Sequence, residues 1–230
     1  MSNEYIFGTV QLRDRVQRER IKFTNRLKAI ERGDDIATSD EVQFVKSYLE
    51  RFIKLENDVN ETIRDYIENH VMYPYITGVK GIGYSYASQI LSVVDIRKAD
   101  TVSALWRYAG YAVIDGTTER LVKGEPLHYN KKLKSALYNV AGNFLKNNSP
   151  YRKFYDDAKI YYSENRDWTK AHIHMASIRK MNKMFLSHLW HVWREVEGLE
   201  TRELYVVEKL GHKHIIPPDD FGWYDWIKSK

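Results

Sequence analysis

Two glycines bracket one apolar residue in Val79-Lys80-Gly81-Ile82-Gly83, and a helix-forming segment follows. Residues of these types at this spacing can hold a phosphate. Gly81 and Gly83 can reach backbone angles closed to other residues, and without side chains they let the chain approach a ligand closely. Their N–H groups, with those opening the next helix, are expected to point outward, where the helix dipole favours an anion. Ile82 is expected to plug the turn into the core. Ala87, Ile90, Leu91 and Val94 would form the buried face of the following helix, and Lys80 would place a charge at the mouth. Such a site grips a polynucleotide backbone without reading its sequence, and the grip weakens as salt rises. The plainer alternative is a tight turn between two core helices.

Basic side chains that could extend a phosphate contact lie on both sides of this bend. Between residues 11 and 28, Arg13, Arg15, Arg18, Arg20, Lys22, Arg26 and Lys28 outnumber Asp14 and Glu19. Further on come Arg120, Lys123, Lys131, Lys132 and Lys134, diluted by Glu119 and Glu125. An ordinary solvated helix start is the competing reading there. Lys170, Arg179, Lys180 and Lys183 could form a track on the last helix, or an ordinary charged face. His172 with His174, His188 with His191 and His212 with His214 invite a metal reading. Two-residue spacing separates side chains on a helix, and no matching carboxylate stands nearby, so satisfied or exposed histidines are the expectation and no metal site is assigned.

The elements that must position these residues are helical. Leu12, Val16, Phe23, Leu27 and Ile30 give a helical period over residues 11–30, which Gly33 stops. Thr38 and Glu41 fit a capping box, and Val42, Val45, Leu49, Phe52, Val59, Ile63 and Tyr66 carry a second long helix that Pro74 ends. The two make an antiparallel hairpin that either packs on its own core or also pairs with another copy as a homodimer. Shorter helices are predicted over 101–110, over 131–147 and from Ser149-Pro150 to about Ser163. A long one runs from the cap Thr169 through Val196 and is ended by Gly198. Residues 111–130 are irregular, a short hairpin or a loop. The expected organisation is a basic helical hairpin over 1–74, a helix-hairpin-helix domain over 75–200 and an irregular tail over 201–230. In the tail, Trp223 and Trp226 are expected to cover the body of the chain.

Bulk properties narrow the class. The 230 residues are 43% hydrophobic, enough to bury a core. No apolar run approaches the roughly 20 residues of a membrane span. Met1–Val10 lacks the apolar stretch of a signal peptide, so a cytoplasmic location is expected. The absence of cysteine excludes disulfides, thiolate zinc sites and cysteine nucleophiles. A net charge of +5 is mild, so a nucleic-acid reading depends on local clustering.

The order of segments carries a resemblance. The basic helix LRDRVQRERIKFTNRLKAIE precedes a second long helix, then GVKGIGYSYASQIL and VSALWRYAGY, then NKKLKSALYNVAGNF, PYRKFYDDAKIYY and a long last helix. Over roughly residues 11–197 this resembles the C-terminal half of the insertion-sequence one-hundred-and-ten type transposases, a coiled-coil region followed by a helix-hairpin-helix transposase domain. That family is RNA-guided, with an acidic quartet in an N-terminal RNase-H-like domain and a serine in the C-terminal half. The segment carrying the acidic quartet has no counterpart in these residues. Where the resemblance implies the serine, after Tyr108-Ala109-Gly110-Tyr111, stand Asp115, Gly116, Thr117 and Thr118. Asp115, Thr117 and Thr118 are the catalytic candidates this leaves, and a threonine needs an activating base. The resemblance therefore implies a DNA-binding, transposase-related protein with no cofactor, with structured RNA as the rival ligand. The alternatives are the strand-transfer subunit of a split RNA-guided recombinase, which would need magnesium, and a helical self-association module.

Overall fold

A computed structural model describes residues 3–114, 116–119 and 121–201, and the chain is mostly α-helical. It divides into two compact units, the first ending at His70 and the second beginning at Val71. No helix among the described residues is long and apolar enough to cross a membrane.

The first unit pairs α1 (Asn3–Arg32) with α2 (Ser39–Glu68). Thr38 and Glu41 form a reciprocal cap at the start of α2: the Thr38 N–H donates to Glu41 Oε2 at 2.8 Å, and the Glu41 N–H donates to Thr38 Oγ1 at 3.3 Å. Helix α1 begins well before residue 11 because Ile6 and Val10 continue its buried stripe. The register of that stripe differs from the expected one. Arg13 is 3% exposed and Leu12 44%, so the arginine and not the leucine turns inward. Phe23 stacks with Tyr48 at a centroid distance of 6.0 Å and meets the tilted Phe52 ring at 5.3 Å.

In the second unit α3 (Tyr73–Gly78) and α4 (Tyr84–Leu91) flank the glycine bend. A 3-10 turn (Ile96–Lys98), α5 (Val102–Tyr108) and a two-residue hairpin of β1 (Val113–Ile114) and β2 (Thr117–Thr118) follow. Helices α6 (Lys131–Lys146), α7 (Arg152–Asn165) and α8 (Lys170–Val196) complete the described part. Helix α8 is the backbone of the core: α5, α6, α7 and the 3-10 turn all pack on it. Trp190 fixes the 3-10 turn, donating from Nε1 to the Ala99 carbonyl at 2.7 Å, and Arg194 Nη1 reaches the same oxygen at 3.1 Å.

Two helix ends differ from expectation or sharpen it. Beyond the end of α6 Asn148 turns the chain at a φ of 52°, which suits asparagine, and the Ser149 N–H donates back to the Phe144 carbonyl at 2.9 Å. Ser149 therefore terminates α6 with its backbone and does not cap α7; its hydroxyl is buried without a partner. Thr169 does cap α8, accepting from the His172 N–H at 3.3 Å, and Gly198 closes it at φ 65°.

Candidate nucleic-acid interface

The two glycines of the bend play different parts. Gly81 sits at φ 107°, where a side chain is strained, and a Cβ there would lie 3.2 Å from Phe144 Cδ1 and 3.3 Å from the Asn143 carbonyl oxygen. Its lack of a side chain lets the bend seat against α6. Gly83 is exposed, with φ −92° and ψ 176°, angles open to any residue. Nothing lies within 4 Å of where its Cβ would be. The bend is locked from behind: Ile82 is 4% exposed, and its N–H donates to the Val79 carbonyl at 3.0 Å. Among the described residues no backbone carbonyl takes the Gly81 or Gly83 N–H. The Gly83 carbonyl accepts from the Tyr86 and Ala87 N–H groups at 3.1 and 3.0 Å, which opens α4. Ala87, Ile90, Leu91 and Val94 are buried, and Lys80 is exposed. The result is an open helix start beside a lysine on a rigid support, which is an arrangement suited to an anion.

Lys146 is a cation that the sequence pattern did not single out. It is exposed one turn beyond Asn143, on the stretch of α6 against which Gly81 rests. Its signal was present only as the end of a helix, and the contact between Gly81 and α6 gives it its place.

The other nominated residues separate. Arg13 is buried and bonded to Asp14 at 3.0 Å, so its charge serves the first unit and does not face a ligand. Arg20 is half-buried in an ion pair with Glu56, to which Gln17 also donates at 3.2 Å. Lys123, Lys131 and Lys132 are exposed, and Arg120 lies outside the described residues. Lys134 is folded inward: its Nζ lies 4.1 Å from the Tyr129 ring centroid and 3.4 Å from the Glu119 carbonyl oxygen. Lys183 likewise leaves the supposed track, with Nζ 3.9 Å over the Trp106 ring, and burial lowers its ammonium below the ordinary lysine range.

Tyr108 and Asn130 hold α5 and α6 together next to these lysines. The Tyr108 hydroxyl donates to the Val93 carbonyl and accepts from Asn130 Nδ2, both at 2.8 Å, while Asn130 Oδ1 caps α6 at the Leu133 N–H. Glu119 accepts from the His128 N–H at 2.9 Å and meets the ring Nδ1 at 3.0 Å. The His128 backbone bond leads the contacts that hold the Glu119 carboxyl below its ordinary range.

Among the catalytic candidates, Asp115 lies outside the described residues. Thr117 and Thr118 pair with Ile114 and Val113 across the β-hairpin. The adjacent Glu119 accepts from the His128 N–H and meets its ring through Oε1, and Lys134 Nζ lies at the Glu119 carbonyl oxygen. The histidines of α8 have separate surroundings. His188 Nδ1 meets the Tyr151 hydroxyl at 2.8 Å, His174 Nδ1 meets that of Tyr155 at 2.7 Å, and His172 stacks on Trp168. Among the described residues no group of three or more histidines and carboxylates could hold a metal ion. His212, His214, Trp223 and Trp226 lie outside the described residues. No protein-family model, curated protein or solved structure matches the chain.

Proposed function

We propose that this chain binds nucleic acid, DNA in the first place, by gripping a backbone phosphate at the Gly81–Gly83 bend. Its relation to the transposases it resembles is part of the same proposal. The observation that supports it is the contrast at the bend. Ile82 is sealed into the core, while Gly83 opens α4 in free space beside Lys80. A turn that served packing alone would need Gly81 but would gain nothing from leaving Gly83 bare. The exposed Lys131, Lys132 and Lys146 add charge on α6. Contacts of this kind act on any sequence, so the preference among sequences is modest. Competition between duplex DNA, single strands and structured RNA tests the ligand class. Duplex is expected to compete best, and a clear preference for structured RNA would replace DNA by RNA. Binding of none of the three would end the proposal.

A second reading, self-association through the first unit, is favoured by a separate observation. Phe44, Tyr48 and Leu55 share one stripe of α2 and are 52%, 36% and 42% exposed. Light scattering on a Phe44→Glu, Leu55→Glu variant checks it: a dimer that becomes a monomer supports the reading, and a monomer in both removes it.

A further inference from the structure

The corner between α7 and α8 carries a second group of rings and cations, away from the glycine bend in sequence. The Trp168 and His172 rings are stacked, with centroids 4.1 Å apart and planes 7° from parallel. Tyr162 flanks Trp168 at 5.2 Å, and the Arg166 guanidinium lies 5.8 Å from the Trp168 centroid. His172 belongs to the capped first turn of α8, so its backbone is held, yet its side chain is exposed. Among the described residues its ring meets no ring other than that of Trp168.

We propose that this corner takes an unpaired nucleobase of a single strand, stacked on the outer face of His172 so as to continue the Trp168–His172 pair. The adjoining phosphates would lie at Arg166 and Lys170. The inference rests on the nucleic-acid reading above but uses a different surface of the same unit. A parallel pair of rings that ends in an exposed face is the geometry a base extends, and every base offers a π-face. Charge agrees with this occupant. Lys159 and Tyr162 share one stripe of α7, Arg166 follows the helix with its guanidinium toward Trp168, and Lys159, Arg166 and Lys170 are all exposed. The acids of α7 point elsewhere: Asp157 and Glu164 fall on the opposite side of the helix, and Asp156 is held by Arg152 at 3.3 Å. Asp167, next to Trp168 in the chain, offsets a single charge. A protein partner would fit the far side better, where Ile160 and Tyr161 are 59% and 50% exposed among those acids. A duplex hides its base faces, so the corner discriminates in favour of unpaired strand.

The test uses the full chain, fluorescein-labelled oligothymidylate and a blunt duplex, read by anisotropy. His172→Ala and Arg166→Ala are each expected to weaken oligothymidylate binding roughly tenfold, within the range of lost base stacking, and to leave duplex binding unchanged. His172→Phe is expected to restore the affinity, because it keeps a ring. Both positions are exposed, and helical circular dichroism verifies folding. Unchanged single-strand affinity in the two alanine variants overturns the proposal. So does an equal loss on duplex, or a phenylalanine variant as weak as the alanine one. Should those variants behave as wild type while Gly83→Leu loses duplex binding, this inference alone fails. If the wild-type chain binds neither probe, the nucleic-acid reading fails with it.

Discussion

At the scale of single residues, the two glycines that look equivalent in the sequence are separated by what stands behind them. A side chain at Gly81 meets α6 at a strained φ, so Gly81→Ala is expected to cost about 1–3 kcal/mol. Gly83→Ala is expected to leave the melting temperature where it is, because nothing surrounds that position. The GxG spacing announced the bend, but only the approach of Asn143 and Phe144, more than sixty residues away in sequence, assigns the roles. Arg13 and Arg20 show the same limit. Composition made both look like ligand contacts, whereas one faces inward and the other completes a pair with Glu56. Burial also sets the behaviour of the core tyrosines. It pushes the hydroxyls of Tyr75, Tyr111 and Tyr151 up, so the folded state keeps their protons where unfolded tyrosines release them. Their folded pKa values lie above the unfolded one. The associated stability is therefore complete below about pH 10 and declines as pH rises beyond it. Denaturant unfolding followed across that range measures the decline. Tyr151→Phe, which leaves His188 Nδ1 buried without its hydroxyl partner, is expected to cost about 1–3 kcal/mol.

At the scale of elements, local chemistry was legible where a side chain acts on its own helix. Thr38 with Glu41, Thr169 and Gly198 mark ends that the structure places as read. It was less legible where one segment ends two helices, as at Asn148 and Ser149, because the same residues suit a C-terminal and an N-terminal role. The early start of α1 escaped the pattern for another reason. Gly8 interrupts the period between Ile6 and Val10, and α1 packs along α2. The cap of α2 yields a pH prediction. Hydrogen bonds from the Thr38 backbone, then its side chain, hold the Glu41 carboxyl below the ordinary glutamate range. The stability this adds is present above the unfolded carboxyl's pKa, about 4.3, and is lost as pH falls through the lower folded value. Glu41→Gln, which has no carboxyl to titrate, removes that acid-side dependence, and thermal melts at neutral and acid pH would register it as a smaller difference than in wild type.

At the scale of the whole molecule, a modest net charge conceals its distribution. Arg15 and Arg18 stay exposed on α1, while Lys80, Lys131, Lys132 and Lys146 stay exposed in the second unit. If these cations meet phosphates, affinity falls as salt rises, and each one removed lowers the logarithmic salt slope by about one. Lys132→Gln and Lys146→Gln isolate two such terms, and a slope unmoved by both would place the phosphates elsewhere. The mostly helical class was readable from periodicity alone. Which lysines stay exposed was not, since Lys134 and Lys183 fold onto Tyr129 and Trp106 through tertiary contacts. The most direct test of the phosphate grip is a duplex-DNA titration of Gly83→Leu against wild type at low salt, with melting temperatures measured in parallel. A branched side chain in the open space over the start of α4 should weaken binding roughly tenfold, the loss of one charge-assisted contact, with the melting temperature unchanged. Equal affinities for the two folded proteins would contradict the account.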